Sequence, residues 1–322
     1  MRQLVKYVRE HLAADFKPAY YLTVFGFIAA CICINYLTAP TGYRSWEGYL
    51  IANYSSRRSA YTLPLYFLFY SFPYLSLAAI TAWFNRETTF WRSRDFWQRA
   101  IFMLVLISIQ ASFALYRQLD GTYTNPPDQY YLIKIVATLT PFVMIGIPVF
   151  LFWRFRDRSR GIGFMYGLTR RGFRPWPYLL LLGLMFPLVL WAASQPQFLS
   201  YYPTLRLSRL DGLTLIQHKW LAFGCYELAY GSYFVWAEVI FRGFFGVGMY
   251  NSMGRHATIP MSGLYAFRHF NKPIGETISS VFGGYILGAI ALRSGNIFGG
   301  AIIHGGIAIM MDILAFWFKT RS

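Results

Sequence analysis

The chain has 322 residues, 56% of them hydrophobic, 20% aromatic and only 13% charged, with 30 Lys and Arg against 13 Asp and Glu and a formal net charge of +17. That composition, with a mean hydropathy of +0.36, excludes an ordinary soluble domain and makes a bilayer the solvent. The excess of positive charge does not mark a nucleic-acid binder, because the basic residues gather in loops between apolar runs and form no stripe with stacking aromatics.

Residues 1–18 place Arg2, Lys6, Arg9 and Lys17 among Leu4, Val5, Val8 and Leu12. This is the pattern of a basic amphipathic helix on the anionic cytoplasmic leaflet, so membrane lipids are expected partners. The long apolar run that follows carries no small-residue cleavage site, and a cleaved signal peptide is not expected.

A hydrocarbon core about 30 Å thick takes roughly 20 apolar residues of helix. Windows near 19–38, 60–84, 100–116, 131–153, 177–194, 219–250, 257–269, 276–293 and 296–317 fit or approach that length. The predicted fold is all-α, a polytopic membrane bundle of eight or nine spans. The 257–269 segment is short enough to be a half-span, and 219–250 is long enough to tilt or to run into water.

Arg86, Arg92, Arg94 and Arg99 crowd the second loop between spans, and Arg154, Arg156, Arg158, Arg160, Arg170, Arg171 and Arg174 the fourth, whereas the third has Asp120 and Asp128 and no Lys or Arg. The positive-inside rule puts the second and fourth loops and the N-terminus in the cytoplasm. Cys31, Cys33 and Cys225 fall within spans and read as packing residues, with neither a disulfide framework nor a cysteine zinc cluster.

The chain divides by texture. Residues 19–215 carry aromatics, prolines and very few charges in their spans and read as scaffold. Residues 216–322 hold Glu227, Glu238, Arg242, His269, Glu276, His304 and Asp312 in or beside spans, and intramembrane ionisable groups are the first place to look for function. Glu238 and Arg242 are four apart and share an α-helical face, with Glu227 three turns earlier on nearly the same side. Such a pair also serves as a plain structural ion pair. His269, one turn after Tyr265, reads as a proton carrier, a ligand or an interfacial histidine. His304 sits mid-span in Gly299-Gly300-Ala301-Ile302-Ile303-His304-Gly305-Gly306, where the ring needs a partner within the protein. Gly284 and Gly288 form a G-x-x-x-G that predicts close packing of the last two spans.

The order E-x-x-x-R on one helix, an aromatic four residues before a histidine on the next, and a histidine in a glycine-rich last span resembles the CPBP family of CAAX-prenyl-protease and bacteriocin-processing (Abi) intramembrane proteases. The resemblance covers roughly 216–315, with Phe241-Arg242-Gly243 after the acid and His269-Phe270-Asn271-Lys272-Pro273 as further matching text. It implies an endopeptidase in the membrane, a bacterial inner membrane by similarity to bacterial members, that hydrolyses a membrane-embedded or lipidated peptide. Glu238 then matches the glutamate that pairs with Arg242, His269 the histidine that helps to activate water, and His304 the histidine that stabilises the oxyanion. Two positions depart from the pattern. Ala237 stands where the family has the water-activating glutamate, and Ala308 where it has an asparagine.

Alanine cannot take a proton, so another carboxylate must serve, with Glu238 the first candidate and Glu227 or Glu276 next. Asp312, eight residues after His304, is placed to orient that imidazole. A divalent metal on His269, His304 and Glu238 would have a three-ligand site, although no H-E-x-x-H spacing is present. A relative that keeps the fold but has lost hydrolysis, acting as a membrane scaffold, and a proton-coupled transporter are the competing readings.

Overall fold

The computed structural model describes residues 1–53, 61–113, 121–170 and 172–320; Asp120, Arg171 and the ends of the expected spans at residue 60 and at 114–116 lie outside that set. All regular elements among these residues are helical. In chain order they are α1 (Arg2–Asp15), α2 (Pro18–Leu37), α3 (Trp46–Asn53), α4 (Thr62–Asn85), α5 (Arg94–Ser112), α6 (Pro126–Pro141), α7 (Ile147–Phe152), α8 (Trp176–Ala193), α9 (Pro196–Tyr201), α10 (Lys219–Glu238), α11 (Tyr250–Met253), α12 (Thr258–Phe267), α13 (Ile274–Ser294) and α14 (Phe298–Lys319). Their ends follow local chemistry. Pro18 opens α2 where its missing N–H costs nothing, Ser93 caps α5 by accepting from Phe96 N–H, and Gly295 in the left-handed region closes α13.

Among the described residues, six helical stretches are long and apolar enough to cross a bilayer: α2, α4, the run Pro126–Arg160 that contains α6 and α7, α8, α13 and α14. The expected spans at 100–116, 219–250 and 257–269 are helices outside that set. α5 opens with Arg94, Asp95 and Arg99, α10 carries Glu227 and Glu238, and α12 has ten residues, about 15 Å of rise. The run Pro126–Arg160 passes through π-helical turns at Phe142–Gly146 and Trp153–Asp157, the first directly after Pro141, whose ring cannot donate to the helical ladder.

The chain resolves into two compact units, each drawing on residues before and after 215. One comprises Met1–Phe113, Trp153–Arg170 and Val239–Ile297. Its core joins Tyr20, Val24 and Ile28 of α2 to Leu77 of α4, Ile259 and Phe267 of α12 and Val281 of α13. Buried Arg99 makes a two-pronged pair with buried Asp157 at 2.7 and 2.5 Å, and Tyr166 donates to the same carboxylate at 2.7 Å. Asp95 gathers Arg99, Arg156 and Arg160, so part of the charge expected in loops lies in helical turns and ties the start of α5 to the end of the Pro126–Arg160 run. The glycines of the α13 G-x-x-x-G receive α12: a Cβ on Gly284 would lie 3.1 Å from Tyr265, and one on Gly288 2.5 Å from Met261. The expectation that this motif serves the last span is thereby corrected; the partner of the small-residue face is the helix before it.

The other unit comprises Ala114–Phe152, Arg171–Glu238 and Phe298–Ser322. α14 packs on α8 and α10, and α10 on α6. Tyr131, Tyr226, Tyr230 and Phe234 form one core with Ala308, and Val189, Phe198 and Ala315 belong to another. Asp128 accepts from the N–H groups of Thr214 and Leu215 at 2.7 and 3.3 Å, fixing the loop before α10. The cysteines do not all pack as expected. Cys31 is half-buried against the first core, while Cys33 and Cys225 are exposed on helix faces.

α1 is helical as the sequence predicts, with Arg2, Val5, Lys6, Arg9 and Leu12 exposed and Leu4, His11 and Asp15 turned into the first unit. Asp15 meets His256 Nδ1 at 2.8 Å and Arg255 at 3.7 Å, and His11 lies edge-on to Tyr285. Burial pushes the His11 imidazole down to about 4; Asp15 opposes this, and Arg293, Arg255 and His256 add to it. A released His11 titrates near 6.5, so the undocked helix binds more protons between pH 6.5 and 4, and docking of α1 weakens as pH falls through that window. Amide exchange across α1, corrected for intrinsic rate, is expected to rise over this range in the wild type and to stay flat in His11→Phe.

Candidate active site

Glu238 is the last residue of α10 and has no solvent access. In the same unit, α14 starts at Phe298, and its third residue is Gly300, where a Cβ would collide with Glu238 Oε2. The missing side chain lets the carboxylate lie against the first turn of α14, where the helix dipole favours negative charge. One turn on, His304 Nδ1 lies 3.1 Å from Glu238 Oε1. With the carboxylate ionised it can only accept; the ring then donates through Nδ1–H, and Nε2 is the basic nitrogen of the neutral imidazole. Phe234 packs against that ring at a tilt of 54°, with centroids 4.4 Å apart.

The first unit builds a second group around Tyr265. Arg242 is fully buried, its guanidinium carbon 4.1 Å from the centre of the Tyr265 ring, and it donates to the Gly283 carbonyl at 3.4 Å. An aromatic face in apolar surroundings is a favourable seat for this cation. On the same tyrosine sits His269, ring centroids 4.5 Å apart, with Nδ1 2.8 Å from the Tyr265 carbonyl. A carbonyl cannot donate, so Nδ1 carries the proton and Nε2 is again the basic nitrogen. Thr277 and Tyr36 both donate to the His269 carbonyl, at 2.5 and 3.2 Å.

The α-helix ends at Glu238, and Val239–Gly246 is a π-helix whose eight residues are all buried. The one-turn arithmetic that put Glu238 and Arg242 on a common α-helical face therefore changes at Val239, because a π turn bonds i to i+5. The unit boundary falls at the same place. Glu238 is anchored with α14, and Arg242 with α12 and α13.

Of the other candidates, Asp312 was expected to orient His304, but Glu238 holds that place. The Asp312 carboxylate accepts from Thr204 N–H at 3.0 Å and from the Thr204 hydroxyl, to which Tyr226 also donates. It thereby pins the segment before α10. Glu227 is buried and faces Asp312. Glu276, in the first turn of α13, pairs with Lys272 at 3.4 Å, a partly buried pair whose acid suits a helix N-terminus. Ala308 lies in the apolar core of Tyr226, Tyr230 and Phe234. Among the described residues no group of three or more His, Cys, Asp or Glu side chains is arranged to hold a metal ion. His269, His304 and Glu238 therefore belong to no such group.

Sequence reasoning missed what Gly300 and Tyr265 do. Both carried a signal, a glycine pair opening a span and an aromatic one turn before a histidine, but neither pattern says which side chain occupies the space. Gly300→Ala is expected to displace the Glu238 carboxylate from His304 while leaving α14 helical; the hydrogen-bonded Nδ1–H proton resonance of His304 should disappear in the variant and persist in Ala301→Gly.

No curated protein and no solved structure matches the chain. Residues 217–310 do match the family model described as type II CAAX prenyl endopeptidase Rce1-like, and this stretch takes in Glu238, Arg242, Tyr265, His269 and His304. The C-terminal part of the chain is thus shown to be similar to a family of membrane proteases.

Proposed function

We propose that the chain is an intramembrane endopeptidase of the CAAX type that hydrolyses a peptide bond in a membrane-associated or lipid-modified peptide. The observation that carries this reading is the Glu238 to His304 contact, within the region that matches a protease family. Six apolar helices support the coarser statement that this is an integral membrane protein. The arginine-rich second and fourth loops support a cytoplasmic N-terminus, and a bacterial inner membrane is the location this reading adopts.

The chemistry follows from the tautomer. His304 Nε2 accepts a proton from water as the oxygen attacks the scissile carbonyl, and the imidazolium returns it to the leaving amine. Glu238, buried and bonded to Nδ1–H, holds the ring in register and stabilises the imidazolium, the role a carboxylate has behind a catalytic histidine. The couple needs no glutamate at position 237, which answers the departure at Ala237. His269, in the first unit, is the second histidine in the region of family similarity, and with its Nδ1 committed to a carbonyl its basic nitrogen is Nε2.

The test is hydrolysis of a fluorogenic lipidated peptide by the full chain in proteoliposomes. Turnover is expected in the wild type, with a loss of roughly 10²-fold or more in His304→Ala, Glu238→Gln and His269→Ala, and no change with a chelator. Wild-type silence with turnover gained in Ala237→Glu would make the chain a non-catalytic scaffold. Solute or ion flux that depends on Glu227 would make it a transporter.

A further inference from the structure

Five consecutive residues around His269 are held by groups that lie outside the region of family similarity. Asn35 of α2 donates to the Phe270 carbonyl at 2.9 Å, and Tyr36 donates to the carbonyls of Lys272 and His269 at 2.8 and 3.2 Å. Ser45, whose hydroxyl caps α3 by accepting from Gly48 N–H, also reaches the Asn271 side chain at 3.4 Å. Arg268 donates to the Tyr70 hydroxyl of α4 at 2.6 Å, and that hydroxyl donates to Glu47 Oε1 at 3.4 Å. The Asn271 backbone N–H also faces the Glu47 carboxyl. Glu47 N–H in turn bonds Asn35 Oδ1 at 3.4 Å, which closes the circuit through α2 and α3.

Glu47 is the acid of this clamp, 5% exposed. An acid is a poor choice for a purely mechanical clamp, since a buried carboxylate must be stabilised by partners and an amide would bond as well. What an acid adds is a charge that can be switched. The groups that face it are Tyr36 from α2, Tyr70 from α4, and Arg268 and Lys272 on either side of His269.

We infer that Glu47 is a positioning residue for His269: through Tyr70, Arg268 and Asn271 it fixes the segment that carries the imidazole, and its charge acts on that imidazole. The inference rests on the reading that His269 takes part in peptide hydrolysis. Burial pushes the Glu47 carboxyl up to about 7, with Arg268, the Asn271 N–H, Tyr70 and Lys272 pulling the other way. Below that pH Glu47 is neutral. Above it, a negative charge stands beside the His269 segment and favours the imidazolium, raising the pH at which His269 becomes a base.

The experiment follows the His269 ring by nitrogen NMR in histidine-labelled protein in nanodiscs, its resonance assigned by loss in His269→Gln, alongside the pH profile of reporter hydrolysis. In Glu47→Gln the His269 titration midpoint should fall by about half a pH unit or more, and the neutral limb of the hydrolysis profile should move with it. Tyr70→Phe, which keeps the ring and removes the hydroxyl that favours the Glu47 anion, should shift the midpoint the same way by less, and it carries the test if Glu47→Gln does not fold. An unchanged His269 midpoint in the folded variants overturns the inference. Absence of hydrolysis in every protein, with the midpoint still displaced, overturns the enzymatic reading and leaves the Glu47 assignment standing.

Discussion

A carboxylate with no access to water, in a chain whose surroundings are largely hydrocarbon, has to find all its stabilisation inside the protein. Glu238 meets that constraint with an imidazole N–H, the first turn of a helix and a glycine that leaves room for its oxygens. The same rule shapes the rest of both units. Asp157 is matched by both arms of Arg99, Asp312 by the backbone and hydroxyl of Thr204, Asp128 by the start of the loop before α10, and Asp15 by His256. Each pairing joins segments far apart in sequence, so a need for internal satisfaction becomes a set of tertiary restraints.

The two histidines satisfy the constraint differently, and the difference bears on chemistry. His304 gives its Nδ1 proton to a charged acceptor and His269 to a neutral carbonyl. Both are left with Nε2 as the basic atom, but only the His304 ring has a carboxylate behind it. Asp312, by contrast, is spent on architecture, and Arg242 is seated on the Tyr265 ring with a carbonyl of α13.

Much of this arrangement depends on absent atoms. Gly300 admits Glu238 and Gly284 admits Tyr265, each at a point where a methyl group would press on the side chain that matters. The π-helical turn over Val239–Gly246 shifts the register directly after Glu238, so residues four apart are held by different helices. None of these features changes the hydropathy of the chain.

Composition and periodicity determined the membrane class, the helical fold and the positions of six spans, because apolar runs of bilayer length leave the backbone only one way to satisfy its own hydrogen bonds. Motif order singled out Glu238, Arg242, His269 and His304, since charge in apolar sequence is costly and therefore conspicuous. The partners were left to tertiary structure. That His304 takes Glu238 and Asp312 takes Thr204, that the α13 glycines serve α12, and that a short helix between the first spans supplies Glu47 to the His269 segment all depend on which surfaces meet. A one-dimensional pattern gives the face a side chain occupies on its own helix, but the helix across from it is chosen by close packing, where a single missing Cβ decides the neighbour.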